Sequence, residues 1–273
     1  MQIAFPRTHE PVNLTYDYGI IRASRDLLFQ LYLDQMTHLF VASPCYGGLV
    51  HVQFMTSVMK LKEICERKHV KFTFFSVPFD SLIPRARNAC VHAFMKSTAD
   101  TFMFIDADIK FNPEDVIKML ESQRDVICGA YPKKCLKFDK LSLYATSSKT
   151  LPELVSRSVS YAVGFNATPT QSVAQARDIA TGFLMIQRSV FEKLQKKSSV
   201  YVNDIHAYGH GETMCDYFPC GVFDGRYLSE DYGFARLCKN NHIPCFVDLT
   251  IKLDHIGSFT YHGDASQLIS KAS

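Results

Sequence analysis

Apolar and polar residues alternate with two different periods along the first half of the chain. Apolar runs with the length and the aromatic and β-branched content of buried strands occupy residues 37–44, 70–78, 101–108 and 125–132. Residues 50–68 and 83–97 instead place apolar side chains at helical spacing. A third helix is predicted after Asn112, a capping residue followed by Pro113 and two acids. Strands therefore alternate with helices.

This alternation predicts an α/β fold with a mostly parallel central sheet flanked by helices. In such sheets, ligands bind outside the carboxyl ends of the strands. Four polar loops follow the four predicted strands and are expected to converge on one edge, at residues 43–48, 78–81, 106–108 and 131–134.

The second half of the chain is less regular. Residues 133–175 are polar and mixed, with a strand predicted near 159–165. Residues 176–194 are typical of a strand followed by a helix, and a second helix and strand are predicted at 230–240 and 243–253. Residues 201–234 are rich in aromatic side chains. At the other end of the chain, residues 20–36 have the spacing of a helix.

Composition narrows the class of protein. The chain has 273 residues, is 47% hydrophobic and 21% charged, and carries a formal net charge of +3. No basic block is present, which argues against nucleic acid as the main partner. No stretch reaches the roughly 20 apolar residues of a membrane span, and the start lacks the pattern of a signal peptide. The nine cysteines form no C-x-x-C motif, so we expect reduced thiols and a cytoplasmic protein.

Asp106 and Asp108 carry the chemistry that stands out most. They follow the apolar run 102–105, and in an extended segment residues i and i+2 point the same way. Two adjacent carboxylates repel unless a cation meets them, and their hard oxygens suit Mg²⁺ or Mn²⁺. A D-x-D alone is weak, because one aspartate can cap the turn while the other is solvated. Its place at the ligand edge, near Arg85 and Arg87, favours a metal site.

The segment FIDADIKFNPEDV resembles the D-x-D region of GT-A-fold glycosyltransferases, which bind a nucleotide-sugar diphosphate through a divalent metal. Six further segments stand in that family's order: SPCYGG, IPRARNACVHAFM, CGAYPKK, ATGFLMIQRSVFEKL, LSEDYGFARLCKNNHIPCFVD and KLDHIG. The resemblance covers roughly residues 38–260 and is greatest to the small glycosyltransferases of chloroviruses, large algal DNA viruses that decorate capsid glycans. It implies a single GT-A-like domain over 1–273, with a nucleotide-binding half at about 38–132, an acceptor-side half at 133–273 and a helical extension at 1–37.

The resemblance also implies roles for individual residues. Asp106, Asp108 and His255 would bind Mn²⁺ or Mg²⁺, and the acids Asp231 and Glu230 would be catalytic, with Asp231 the general base of an inverting transfer. The nucleotide is expected to be a UDP-sugar carrying a pentose or hexose. It would contact residues of two loops and of the helix that precedes the D-x-D strand: Ser43, Pro44, Tyr46, Arg85, Arg87, Asn88, Asp106 and Ala107. Gly182, Tyr217 and Phe218 would contact substrate, and an oligosaccharide or glycoprotein would be the acceptor.

Each of these residues also has a plainer interpretation. His255 can be a loop histidine, the two arginines can be helix-surface charges, and acids at a helix start are common for the helix dipole alone. Gly182 can serve only a tight turn. Four aromatic residues can form a platform for sugar rings or simply pack in the core: Tyr208, Tyr217, Phe218 and Tyr227.

Two further candidate sites, one for phosphate and one for zinc, have less support in the sequence. Lys133 and Lys134 can lie near phosphate, although exposed lysines are usually only solvated. His206 and His210, with Glu212, have the spacing of a zinc site, but the glycines at 209 and 211 argue against a helix there.

Three other functions compete. A phosphatase of the haloacid-dehalogenase type also uses a D-x-D after a buried strand, but its motif normally opens the first strand of the domain. A sugar-binding module that lost its chemistry would not need the full set of acids and His255. A glycoside hydrolase would use paired carboxylates as acid and base, but no other feature supports it.

Overall fold

The computed structural model describes residues 37–205 and 208–270. The helix predicted at 20–36 and the side chain of His206 lie outside the described residues. The seven helices of the described part are α1 (Val52–Arg67), α2 (Ile83–Lys96), α3 (Pro113–Glu121), α4 (Phe138–Tyr144), α5 (Leu151–Arg157), α6 (Arg188–Gln195) and α7 (Glu230–Asn240), with short 3-10 turns at Tyr46–Gly48 and Ala265–Leu268.

Sixteen strands are present in the same ranges. They are β1 (His38–Cys45), β2 (Lys71–Pro78), β3 (Thr101–Ile105), β4 (Ile109–Lys110), β5 (Val126–Gly129), β6 (Pro132–Leu136), β7 (Val159–Tyr161), β8 (Val173–Ala176), β9 (Phe183–Gln187), β10 (Val200–Val202), β11 (Thr213–Cys215), β12 (Gly221–Phe223), β13 (Arg226–Leu228), β14 (Cys245–Asp248), β15 (Asp254–Ile256) and β16 (Thr260–His262).

Seven strands form the central sheet, in the order β2-β1-β3-β9-β5-β14-β8. β1 pairs parallel with β2 and β3, and β14 pairs parallel with β5. β9 runs antiparallel to both β3 and β5, and β8 runs antiparallel to β14, so five of the seven strands share one direction. The predicted class, a mostly parallel α/β sheet flanked by helices, is confirmed and is consistent with a GT-A-like arrangement.

Strand β3 shows how the sequence builds the two faces of this sheet. Its five side chains are all buried, and Phe102 and Phe104 point to one face while Met103 and Ile105 point to the other. The first face packs against α2, α6 and α7, and the second packs against α1 and α3. A strand covered on both faces has no solvent-facing position, which is why residues 102–105 are continuously apolar.

A separate three-stranded sheet brings the C-terminal part of the chain to the sheet edge. Its order is β16-β15-β4, and His255 of β15 pairs with Ile109 of β4. The backbone N–H of Ile256 also donates to the carbonyl of Asp108, over 2.8 Å. His255 is therefore fixed beside the loop that carries the two aspartates.

Several predicted elements differ in extent. β3 ends at Ile105 and not at 108, and the strand expected over 243–253 is limited to β14. The polar segment 133–175 contains two short helices, α4 and α5, that its mixed pattern did not indicate. The helix start at Asn112 is as predicted, because the Asn112 side chain accepts a hydrogen bond from the Glu114 backbone.

Two further findings concern the whole described part of the chain. All nine cysteines lie in it, and each is a free thiol. None of the helices in residues 37–205 and 208–270 is both long enough and apolar enough to cross a membrane.

Candidate functional site: an aspartate loop at the sheet edge

The loop 106–108 turns sharply at the carboxyl end of β3. The Asp106 N–H donates to the Gly182 carbonyl at 2.9 Å, and the Ile109 N–H donates back to the Asp106 carbonyl at 3.0 Å. The segment is therefore a turn and not an extended strand. The expectation that the carboxylates of Asp106 and Asp108 lie side by side is wrong, because that geometry requires an extended backbone. Each aspartate meets its own cation.

Asp106 is held by Arg87 of α2. The guanidinium donates to both carboxylate oxygens, at 3.0 and 3.1 Å, in the bidentate geometry that arginine favours. The Arg87 side chain is only 3% exposed. Burial on its own lowers the pKa of Arg87, but the Asp106 carboxylate outweighs it and raises the pKa above its ordinary value. Arg87 is thus a permanent buried cation.

Arg87 also faces a second acid. Its Nε makes no hydrogen bond within the described residues and lies 3.6 Å from Oε1 of Glu230, the first residue of α7. Burial raises the pKa of Glu230, while the charge of Arg87 acts in the opposite direction. The Arg87 guanidinium already pairs with two protein carboxylates, so the expectation that its side chain contacts the nucleotide is not supported. It positions Asp106 instead.

Asp108 is about as exposed as Asp106, 28% against 24% at the side chain, but its partner Lys134 is 34% exposed, whereas Arg87 is buried. Its Oδ2 is 2.5 Å from Lys134 Nζ and 3.4 Å from His255 Nε2. Burial alone would raise the pKa of Asp108, but the hydrogen bonds from His255 and Lys134 prevail and lower it to about 2. The carboxylate is therefore ionised at neutral pH and available to a cation.

His255 is oriented as a metal ligand would be. Its Nδ1 lies 2.8 Å from the carbonyl oxygen of Pro132, which can only accept, so this nitrogen carries the proton. Nε2 can donate to Asp108 only from a protonated ring; in the neutral ring it presents a lone pair instead, and two electron-rich atoms 3.4 Å apart would suit two neighbouring ligands of one divalent ion. A carboxylate oxygen with an imidazole nitrogen fits Mn²⁺ chemically.

The predicted set of three metal ligands is not assembled. Across residues 37–205 and 208–270, no three His, Cys, Asp or Glu side chains stand close enough to hold an ion. Asp106 points to Arg87, so Asp108 and His255 form a pair without it. The substrate would have to supply further ligands, as is usual for Mg²⁺ and Mn²⁺ bound with phosphates.

Gly182 packs directly against the Asp106 carboxylate. A Cβ at this position would lie 2.7 Å from Asp106 Oδ2 and 2.7 Å from the Tyr131 hydroxyl oxygen. Gly182 reaches this place because β9 is antiparallel to β3, which brings its start to the edge where β3 ends. Its own N–H donates to the Tyr131 hydroxyl at 3.3 Å. The structure thus joins Gly182 to the predicted site.

A cavity of about 460 Å³ opens beside the aspartate loop. Its lining consists of Pro44, Tyr46, Leu49, Val50, His51, Ile83, Asp106, Ala107 and Asp108. Tyr46 and Leu49 are each 76% exposed, an unusual state for large apolar side chains that adjoin one cleft. Apolar walls with a few polar groups at one end are typical of small-molecule sites.

The other predicted nucleotide contacts have structural tasks. Ser43 is fully buried and donates to the Ile105 carbonyl at 2.6 Å, so its side chain offers no contact. Arg85 pairs with Asp80 at 3.0 Å, away from Asp106. Asn88 is buried, and its side-chain amide donates to Asp216 and accepts from the Tyr217 N–H, both at 2.9 Å. It thereby fixes the segment after β11. The predicted contacts through Ser43 and Asn88 are therefore corrected.

The aromatic residues of the second half divide between core and surface. Tyr217 and Phe218 are 3% and 0% exposed and pack on Phe191 and Phe104, respectively, so neither reaches a substrate. The prediction that these two contact substrate is wrong, because both fill the layer beneath α6 and α7. Tyr208 packs on Phe75, whereas Tyr227 is 75% exposed.

Glu230 and Asp231 begin α7 close to the aspartate loop, and they are used differently. Glu230 faces Arg87. Asp231 Oδ1 accepts from the Ser229 hydroxyl and, at 2.8 Å, from the Tyr232 N–H. Neither of these contacts uses the second carboxylate oxygen of Asp231. The acid is thus held in place while one oxygen takes no part in its anchoring.

Sequence reasoning missed two residues of the site and one close backbone contact of α7. Tyr131 contacts Gly182 and packs edge-on against the His255 ring, at 5.1 Å. The His51 N–H donates to the Ala107 carbonyl at 3.0 Å and fixes the aspartate loop. Gly233 lies under Pro219, whose carbonyl oxygen would be 1.9 Å from a Cβ. A tyrosine at the end of a strand and a glycine inside a helix were the available signals for Tyr131 and Gly233; His51 gave none.

The zinc interpretation of residues 206–212 finds no support in the described part. Glu212 pairs with His92 at 2.5 Å and with Lys96, both from α2. Lys134 lies at Asp108, as the phosphate interpretation requires, and Lys133 is exposed.

Solved structures provide the comparisons. No protein-family model matches the chain, and no curated protein matches it significantly. A197 from STIV is 16% identical, with a TM-score of 0.43 over 81% of this chain and 86% of that one. A glycosyltransferase involved in the glycosylation of the major capsid of PBCV-1 is 10% identical, with a TM-score of 0.29 over 56% and 61%.

A third similar structure is the inositol-1-phosphate CTP transferase from T. maritima, which is 9% identical, with a TM-score of 0.41 over 86% of this chain and 92% of that one. At such identities and TM-scores, none of these similarities assigns a role to a residue of this chain.

Proposed function

We propose that this protein is a metal-dependent glycosyltransferase that moves a sugar from a nucleoside-diphosphate sugar to a hydroxyl group of a glycan. The observation that carries the proposal is the cleft of about 460 Å³, whose apolar wall faces the aspartate loop. Exposed Tyr46 and Leu49 suit a nucleobase and ribose, and Asp108 with His255 stands at the end where a diphosphate would lie. The donor is expected to be a UDP-sugar carrying a pentose or a hexose.

Asp108 and His255 would hold the divalent ion, which when bound would stabilise the negative charge on the departing diphosphate. Lys134, which pairs with Asp108 in this structure, would be within reach of the same phosphates. Arg87 fixes the Asp106 carboxylate and the Gly182 carbonyl fixes the Asp106 backbone N–H, so Asp106 shapes one wall of the cleft. Gly182 packs directly against that carboxylate, where a Cβ would lie only 2.7 Å from Asp106 Oδ2.

Asp231 is the proposed general base. Ser229 and the Tyr232 N–H hold one of its oxygens, and the other would take the proton from the acceptor hydroxyl as that oxygen attacks the anomeric carbon. Glu230 instead neutralises Arg87. A single displacement of this kind inverts the anomeric centre. The free thiols of the nine cysteines point to a reducing compartment such as the cytoplasm.

A phosphatase of the haloacid-dehalogenase type would need Asp106 as its nucleophile. Both oxygens of Asp106 are bound by Arg87, and two strand–helix units precede it in the sheet. A nucleophile held in this way is poorly placed to attack a phosphorus atom.

The first test is a hydrolysis screen of UDP-, GDP- and TDP-sugars with Mn²⁺, Mg²⁺ or EDTA, read out as free nucleotide. We expect release from one donor, lost in EDTA and in Asp108→Ala. Release of phosphate from simple monoesters, with every nucleotide-sugar left intact, would reject the transferase and favour the phosphatase.

A matched pair of variants separates the two acids of α7. Asp231→Asn should retain metal-dependent donor binding and lose roughly a hundredfold or more in transfer. Glu230→Gln should lose less, because it removes a partner of Arg87 and not the base. Unchanged transfer in Asp231→Asn would remove that residue from the mechanism.

A further inference from the structure

A small cationic cavity lies along α7, on the acceptor-side half of the chain. It measures about 120 Å³ and is lined by the hairpin of β12 and β13, by the segment after β8 and by one face of α7. Its charged lining residues are Arg177, Asp178, Asp224, Arg226, Arg236 and Lys239. Four cations against two acids leave a formal charge of +2 in a space about the size of one phosphate, sulfate or carboxylate group.

Asp178 gives this cavity a fixed structure. It is only 8% exposed, and its Oδ2 accepts from Nε and the terminal nitrogen of Arg177 at 2.9 and 2.7 Å. The guanidinium of Arg226 lies 3.8 Å from the same oxygen. The buried carboxylate orders both arginine side chains in advance. They therefore lose less conformational entropy when an anion binds.

The opposite wall comes from the hairpin and from α7. Arg236 pairs with Asp224 of the hairpin turn at 2.5 Å, and its guanidinium lies over the Phe223 ring at 5.9 Å. Asp224 is exposed, so this pair is weak and Arg236 can turn to a better anion.

A larger cavity adjoins the small one. It measures about 430 Å³ and shares Arg177 and Lys239 with it. Its other lining includes the amides of Asn166 and Gln175 and the ring of His242, all exposed. Amide groups can donate to and accept from sugar hydroxyls, so this part suits a neutral polar group attached to the anion.

The proposed base lies at the start of the helix that lines both cavities. Tyr232, Arg236 and Lys239 are spaced four and three residues apart and share one face of α7. The helix begins at the acids, and eight residues separate Asp231 from Lys239, or about 12 Å along the axis. That distance is appropriate for a short oligosaccharide that reaches from the base to the cations.

We infer that these two cavities form a binding site for an anionic saccharide, with its phosphate, sulfate or carboxylate among the arginines and its ring in the larger cavity. The statement that this saccharide is the acceptor rests on the proposed transferase function, whereas the site itself does not.

Calorimetric titration with glucose 6-phosphate, glucose and inorganic phosphate tests the inference, using the full chain in EDTA and without nucleotide. We expect glucose 6-phosphate to bind at least tenfold more tightly than either glucose or phosphate. Arg236→Gln and Lys239→Gln should each weaken it by tenfold or more, and the exposed Arg67→Gln of α1 should not change it. Lys239 is exposed on its helix, so its variant keeps the test valid if Arg236→Gln unfolds.

Unchanged affinity in Arg236→Gln and Lys239→Gln would overturn the inference, and so would equal affinity for phosphate and glucose 6-phosphate. Mn²⁺-dependent UDP binding, measured on the same protein preparations after EDTA is removed, separates this inference from the proposed function. UDP binding without sugar-phosphate binding rejects the anionic site alone. Sugar-phosphate binding without UDP binding supports the site and rejects the transferase.

Discussion

The two aspartates of the loop belong to regions with opposite character. The inner region consists of Asp106, Arg87, Glu230, Gly182 and Tyr131, and its arginine is 3% exposed. The outer region consists of Asp108, His255 and Lys134, with side chains 16% to 34% exposed. The inner charges pair with one another, whereas in the outer region Asp108 lines the cleft and its Oδ2 lies 3.4 Å from His255 Nε2.

This difference separates two tasks that a D-x-D motif is often assumed to share. A buried charge must be paired within the protein, and a residue paired in that way is not free for a ligand. Asp106 therefore shapes the site, and Asp108 is the residue able to exchange its partner for an ion.

The largest expected effect comes from removing the inner cation. Arg87→Met leaves the carboxylates of Asp106 and Glu230 facing each other without a positive charge, and we expect a loss of about 3–5 kcal/mol in the free energy of unfolding. Urea denaturation measures it, with the exposed Arg67→Met as the matched control. Adding Asp106→Asn should recover part of the loss. A loss below about 1 kcal/mol would show that the inner region is hydrated and not closed.

A second change tests how tightly the inner region is packed. The Cβ of Gly182→Ala would overlap Asp106 Oδ2 and the Tyr131 hydroxyl, so we expect a loss of about 3 kcal/mol in unfolding free energy. Gly211→Ala is the control, since no atom lies within 4 Å of its Cβ and only its backbone φ of +77° is strained, at a cost of about 1 kcal/mol. Equal losses in the two variants would contradict close packing at Gly182.

The contrast between the regions also explains what the sequence could predict. The buried strand β3, the capped start of α3 and the convergence of loops follow from local patterns that burial reinforces. The turn at Asp106 does not, because its hydrogen bond to Gly182 joins residues 76 positions apart. Likewise, Tyr217 and Phe218 have the composition of a sugar platform, and only tertiary packing places them in the core.

The arginine pair is a similar case. The segment IPRARN put Arg85 and Arg87 on one helix, but helical geometry turns them to different surroundings, one towards Asp80 and one towards Asp106. His255 could be placed near the aspartates only through the family resemblance, since the pairing of β15 with β4 is not visible in either segment.

The outer region should make the free energy of unfolding depend on pH. The pKa of Asp108 is lowered from 3.8 to about 2, so its contribution to stability is complete above pH 4 and is lost as the pH falls through about 2. The shift corresponds to about 2 kcal/mol. In EDTA, the unfolding free energy of Asp108→Asn should fall less than that of the wild type between pH 4 and 2. Parallel curves would show that Lys134 and His255 do not stabilise the carboxylate.

The smallest effect concerns the lysine that occupies the place of a cation. Lys134 Nζ lies 2.5 Å from the Asp108 oxygen that also faces His255, so a divalent ion has to displace it. Lys134→Gln should therefore tighten Mn²⁺ binding without nucleotide by roughly fivefold, or about 1 kcal/mol, as measured by the spin resonance of free Mn²⁺. Lys133→Gln, one residue away and exposed, is the control for net charge. Weaker Mn²⁺ binding in Lys134→Gln would mean that the lysine orients Asp108 and does not compete with the ion, and the outer region would then resemble the inner one.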